Sequence, residues 1–253
     1  MTMVFRVAFD LDGVLADLDR ALLDLATRLF GSVELEPASP ADSPAGSDRG
    51  YGTDSRADDR AVAASGDEGE QATSVPPRMR LSRTQQRLLW DSVCETENFW
   101  ETLCELEKGA VARLARIAGE RGWEVVFLTQ RPPSAGDTVQ LQSQRWLVRQ
   151  GFPLPSVLVV SGSRGQVAAA LGLDAVVDDR EDNCFDVAAE SAAKAILVWR
   201  DDPSALDDLV ARRGIAVVHS VSECLQTLVP LDERAANEPG VIDRLKRLFR
   251  SGA

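Results

Sequence analysis

Cysteine is scarce in this chain of 253 residues: Cys94, Cys104, Cys184 and Cys224 lie far apart, in neither a zinc spacing nor a dense disulfide framework. They predict buried thiols in a reducing compartment. Cations are outnumbered, 28 Lys and Arg against 40 Asp and Glu, and the net charge of −12 repels polyanions. That argues against an extended nucleic-acid surface but leaves room for a small phosphorylated ligand held by local cations. No apolar run approaches the length of a bilayer span, and the N-terminus shows no basic segment leading into an apolar stretch and cleavage site. A cytoplasmic protein without a membrane span is expected. The single histidine, His219, has no neighbour that makes it catalytic and reads as structural or surface. No repeat of about 20 to 50 residues recurs, which removes solenoids and propellers.

What is present is an alternation of short apolar runs and helical patterns. Val4 to Phe9, Glu124 to Leu128, Val157 to Val160, Ala175 to Val177, Ala195 to Trp199 and Ile215 to Val218 read as buried strands. Helical patterns fill the gaps: Leu15, Leu18, Leu22, Leu25 and Leu29 form one face, and Thr138 to Gln150, Gln166 to Leu171 and Pro203 to Arg213 follow later. Ser82 begins a capping box before Leu88, Leu89 and Trp90, a short stretch from Glu97 to Leu106 follows, and the helix after Gly109 ends near Gly122. The rhythm predicts an α/β fold, a doubly wound parallel sheet covered on both faces. Residues 1–20 and 109–230 would form this core, and residues 21–108 a small helical cap. Between Glu36 and Arg78 only Tyr51, Val62 and Val75 are large apolar residues, so a disordered insertion is expected there.

Ligands in such sheets collect beyond the carboxyl ends of the strands. The first end is FDLDGVLAD, Phe9 to Asp17, where Gly13 lets the chain turn so that Asp10 and Asp12 address one spot. An EF-hand loop is excluded, since its third acidic position and distal Glu are missing. A nucleophilic carboxylate beside a proton-transferring one fits the pattern, as does Mg²⁺, which prefers oxygen ligands. The second end offers Thr129, Gln130 and Arg131, with a hydroxyl and backbone donors suited to a phosphoryl oxygen. The third, SGSRG from Ser161 to Gly165, brings Arg164 to a helix start. The fourth, VVDDRED, places Asp178 and Asp179 together with Asp182 nearby; a divalent cation relieves their repulsion, or Asp179 or Asp182 caps the next helix.

These four segments, in this order, resemble the motifs of the haloacid dehalogenase (HAD) superfamily of phosphohydrolases. The likeness spans Val4 to Leu29 and about Phe99 to His219. It implies a HAD-like core in which Asp10 is the nucleophile, Asp12 the acid/base and Thr129 a phosphoryl ligand. Asp10, Asp12, Asp178 and Asp179 would make up the Mg²⁺ site, with the second Asp contributing its backbone carbonyl. Arg164 stands where the family usually has Lys, keeping the charge but changing its shape. The presence of Asp12 favours phosphomonoester hydrolysis over dehalogenation.

Asn98 to Ala118 and VVDDRED are also similar to segments of the 5′(3′)-deoxyribonucleotidases, which implies a nucleoside monophosphate as substrate. Phe99 and Trp100, with Trp90, would then stack on the base, although core packing is the competing use of such rings. A sugar-phosphate or cofactor phosphatase is the alternative enzyme, and a non-catalytic HAD-fold binding protein the alternative class. Residues 231–253 read as a linker and a basic amphipathic helix, with Val241, Leu245, Leu248 and Phe249 on one side. That helix would dock on its own chain or a second subunit, in a monomer or homodimer.

Overall fold

The structure, a computed structural model, describes residues 4–31 and 79–237. The insertion read between 36 and 78 and the tail helix beyond 239 lie outside the described residues. Six strands form one sheet: β1 Arg6–Asp10, β2 Glu124–Thr129, β3 Ser156–Val159, β4 Ala175–Asp178, β5 Lys194–Val198 and β6 Ala216–Val218. Their order is β3-β2-β1-β4-β5-β6, and every pairing is parallel. The chain builds outward from β1 to β3, then crosses back to β4, so the switch point lies between β1 and β4.

Strand side chains alternate between faces, and the two faces are separately filled. Val7 and Phe9 join a core with α1 Leu18–Phe30, α2 Arg83–Glu95, α3 Ala110–Arg121, α4 Val139–Arg149 and α8 Val221–Asn237. Ala8 faces the other way, with α5 Arg164–Leu171, α6 Glu181–Glu190 and α7 Asp208–Arg212. The apolar faces of α1 and α2 therefore belong to the same core as one face of the sheet.

Local sequence accounts for the helix starts. Ser82 and Gln85 make the full capping box of α2, the Thr138 side chain caps α4, and Ser163 caps α5. Gly122, at φ +69°, terminates α3.

Several expectations are corrected. Leu29 is 45% exposed, because the face of α1 that packs is set by Leu22 and Leu25. Residues 203–213 form a 3₁₀ turn, Pro203–Ala205, and the short α7, since Asp202 and Asp207 each cap a separate turn. The stretch from 97 to 106, to which the sequence assigned no element, holds a 3₁₀ turn, Phe99–Glu101. Cys184 and Cys224 are buried, whereas Cys94 and Cys104 are exposed. α8 runs through Pro230 to Asn237, past the point where a linker was expected. Among the described residues, no helix is long and apolar enough to cross a membrane.

Candidate active site

Asp10 ends β1 and Asp178 ends β4; Phe9 pairs with Val177, so the two carboxylates emerge side by side at the switch point. Both are buried. One guanidinium serves the pair: Arg164 Nη2 donates to Asp10 Oδ1 at 2.9 Å, and its Nε stands 3.7 Å from Asp178 Oδ2. The helix start that carries this arginine is tightly made. Ser163 accepts hydrogen bonds from the Gly165 and Gln166 amides, and a Cβ on Gly165 would lie 2.2 Å from the Asp186 carbonyl oxygen. Glycine at 165 thus lets α5 press against α6 and brings Arg164, only 3% exposed, into the site.

Asp178 is further held by Asn183, whose Nδ2 donates to both carboxylate oxygens at 3.0 Å, and by the Arg180 amide at 3.0 Å. Asp179 lies against the first turn: a Cβ on Gly13 would sit 1.8 Å from its Oδ2, and Gly13 has φ +76°. Neither Asp179 nor Asp182 caps α6, whose N-cap residue, Arg180, makes no side-chain cap; Asp182 is exposed beside Arg180. Packing acids this closely out of water disfavours their charged forms. Burial, then Asp178, hold the Asp10 carboxyl well above the usual range, with Arg164 opposing. Burial raises Asp178 against the pull of Asn183 and Arg164, and burial with Asp178 pushes Asp179 up to about 8.

Asp12 leaves the same turn but is paired differently. Arg131 grips it with two bonds, Nε to Oδ2 at 2.8 Å and Nη2 to Oδ1 at 2.7 Å. Thr129 ends β2, and its hydroxyl is buried without a hydrogen-bond partner; so are Nε and Nη1 of Arg164. Buried polar atoms left unpaired are costly, and in a cleft they mark where a ligand supplies the missing partners. A separate groove of about 650 Å³ on the flank of α4, lined by Leu141, Val148 and Leu154, includes none of these residues.

The chain now compares with solved structures. A HAD family hydrolase from Deinococcus radiodurans, solved with bound phosphate and sodium, superposes with a TM-score of 0.50 at 15% identity, covering 91% of this chain and 97% of that one. The chain has a HAD-like fold. A hydrolase from Pseudomonas syringae and a HAD hydrolase, family IA, variant 3, from Entamoeba histolytica both score 0.45 at 13% identity. They cover 89% and 91% of this chain and 98% and 100% of their own, and the fold assignment rests on the first structure. No protein-family model matches the chain, and no curated protein does.

Within the HAD-like fold, Asp10, Asp12, Thr129, Arg164, Asp178 and Asp179 gather at the carboxyl ends of β1, β2 and β4. Gln130 is exposed. Phe99 and Trp100 are core residues, 4% and 0% exposed, packed edge to face at 5.1 Å. As a correction to the stacking expectation, no face of Trp100 is open to a base; its ring lies 4.9 Å under the Arg131 guanidinium.

Strand-end reading did not single out Asn183, Ser143 or Arg200. Arg200 follows β5 and donates to the backbone carbonyls of Gly13 and Val14, the latter at 3.2 Å; Glu107 accepts from it at 3.0 Å. The rule that located the other residues would have found Arg200, as the polar residue just beyond a strand. Asn183 and Ser143 sit inside helices with no such signal.

The donor set fits a hard cation. Among the described residues no three His, Cys, Asp or Glu side chains form a ready-made cage. Mg²⁺ does not need one, since it commonly takes one or two carboxylates and keeps several waters. Asp10, Asp178 and Asp179 offer oxygen donors whose mutual repulsion a divalent ion relieves. With both side-chain oxygens of Asp12 on Arg131, any contribution from Asp12 falls to its backbone.

Proposed function

We propose that this chain is a HAD-type hydrolase of small phosphomonoesters, dependent on Mg²⁺ and acting through an aspartyl-phosphate. The observation that carries the reading is a set of buried donors without a hydrogen-bond partner: Nε and Nη1 of Arg164, whose Nη2 is bonded to Asp10, and the Thr129 hydroxyl at the end of β2, the strand paired with β1. A phosphoryl group, with three acceptor oxygens, is the ligand such donors suit. The Deinococcus radiodurans structure of the same fold holds phosphate, which supports the assignment.

In this reading Asp10 attacks phosphorus in line with the departing oxygen. As the bond to phosphorus forms at Asp10, the ester P–O bond breaks, and the leaving alcohol takes a proton from Asp12, carried on the lone pair of a carboxyl oxygen that Arg131 does not occupy. Asp12 then takes a proton from the water whose oxygen displaces Asp10, releasing phosphate. Arg164 and Thr129 hold the phosphoryl oxygens throughout. Asp10, Asp178 and Asp179 would hold Mg²⁺, which supplies Lewis-acid stabilisation of phosphoryl charge when bound.

A nucleoside monophosphate is the substrate suggested by Asn98–Ala118 and VVDDRED. That part rests on motif resemblance alone, because Phe99 and Trp100 are packed inside. The test is hydrolysis of p-nitrophenyl phosphate with and without Mg²⁺. Asp10→Asn is expected to lose at least about 10⁴-fold in kcat while keeping its circular dichroism spectrum. Equal rates in the two proteins would sink the reading. A panel of nucleotides and sugar phosphates then ranks substrates.

A further inference from the structure

We propose that Arg131 is the positioning residue for Asp12, fixing the proton-transferring carboxylate in the site; this rests on the phosphatase reading above. The Arg131 side chain is 1% exposed and all three of its guanidinium nitrogens are engaged. Nε and Nη2 bind the two oxygens of Asp12, and Nη1 donates to Ser143 Oγ at 2.8 Å. A planar fork on both oxygens sets the plane and direction of a carboxylate, which a single bond does not. Sealed from solvent, Arg131 does not reach substrate itself. It acts through Asp12, whose side chain is 19% exposed.

The support behind Arg131 is itself rigid. The ring of Trp100 lies 4.9 Å beneath the guanidinium, with Nε1 donating to the Pro132 carbonyl at 3.0 Å and the Trp100 amide donating to Gln142 Oε1 at 3.1 Å. The loop after Arg131 is strapped to the end of α2: Ala135 N donates to Cys94 O and Asn98 N to Ala135 O, both at 2.7 Å. Asp137 N donates to Asn98 Oδ1 at 2.9 Å. Asp12 is therefore aimed by a chain of contacts reaching into the segment that returns from the insertion. Trp100, which the sequence left between a base platform and a core ring, backs the residue that aims the acid. A buried ion pair adds little net stability, so specificity of placement is the better account of a fork that takes both oxygens of one carboxylate.

The experiment compares two esters in the full chain with Mg²⁺. p-Nitrophenolate departs without a proton, whereas the alkoxide of β-glycerophosphate needs one, so misplacing Asp12 penalises the alkyl ester selectively. Arg131→Lys keeps the charge and loses the fork. It is expected to lower kcat/KM for β-glycerophosphate by about 30-fold or more and for p-nitrophenyl phosphate by about 3-fold, with inhibition by inorganic phosphate unchanged. Added to Asp12→Asn, the substitution should have no further effect. Ser143→Ala, which preserves the ion pair and guards against misfolding of the lysine variant, should show the same selectivity more weakly. Equal losses on both esters, weakened phosphate inhibition, or an effect that adds fully to Asp12→Asn would overturn the role. Wild-type protein inactive on both esters would instead remove the phosphatase reading, and this one with it; wild-type activity without the selectivity removes Arg131 alone.

Discussion

Arg131 and Arg164 are both nearly inaccessible, and each faces an aspartate from the end of β1, yet their surroundings differ. Every nitrogen of Arg131 is engaged, with two bonds to Asp12 and one to Ser143, and a ring lies beneath it. Arg164 makes one bond, to Asp10, and leaves two nitrogens buried without a hydrogen-bond partner. A guanidinium has five N–H groups, and what a fold does with them separates the two uses. Where every nitrogen is bonded to the protein, the arginine places another side chain. Where some are held back beside Asp10, the proposed nucleophile, the free donors suit an anion.

The comparison is most exposed at Arg164. Arg164→Met should lower phosphoester hydrolysis by about 10²–10³-fold and abolish the rise in Tm that inorganic phosphate gives the wild type. Ser143→Ala should keep that rise. Were the phosphate shift to survive loss of Arg164, the orphaned nitrogens would not be its ligand.

Stability should rank the two in the opposite order. Arg131→Met strands Asp12 and leaves Ser143 unpaired, for an expected loss of about 2 kcal/mol in urea unfolding, tempered by the partial exposure of Asp12. For Arg164→Met the expected loss is about 1 kcal/mol, because Asp10 and Asp178 can take up protons when the cation goes. Equal losses would erase the distinction. Gly13→Ala tests the boundary between the two halves. A methyl at φ +76° overlapping Asp179 should destabilise by about 2 kcal/mol and weaken Mg²⁺ binding.

The smallest effect is the pH dependence. In the folded chain Asp10, Asp178 and Asp179 hold their protons above the ordinary carboxylate value, Asp179 to about 8. The folded state thus carries protons that the unfolded state has released, so stability without metal falls as pH rises from the ordinary value towards 8. Tm in chelator should drop by roughly 5 °C between about pH 5 and pH 8, and Mg²⁺ should restore it, more at the upper end. A Tm that rises over that range would show that the three acids are not crowded together.

Much of the architecture is legible in the chain itself, for a local reason. Six short apolar runs separated by helical patterns can be buried only in a sheet covered on both faces, and Gly13, Ser82 and Gly122 mark turns and caps through their own backbone and side-chain chemistry. The same locality limits the reading at α8, where Pro230 argues against a helix that packing nonetheless sustains. It also limits the reading at Phe99 and Trp100, since a large ring in an amphipathic segment serves a core or a ligand equally well until its neighbours are known.

The sequence alone determined which residues could do chemistry: the carboxylates at 10, 12, 178 and 179, the hydroxyl of Thr129 and the cation of Arg164, each placed just beyond an apolar run by the period of a strand. Only the tertiary structure decided how they are shared. Which arginine serves Asp12 and which serves Asp10 follows from side chains 119 and 154 positions apart meeting at the carboxyl end of the sheet, with Ser143 behind Arg131 and Asn183 behind Asp178. No local pattern encodes those distances, because the partners are chosen by packing across the fold.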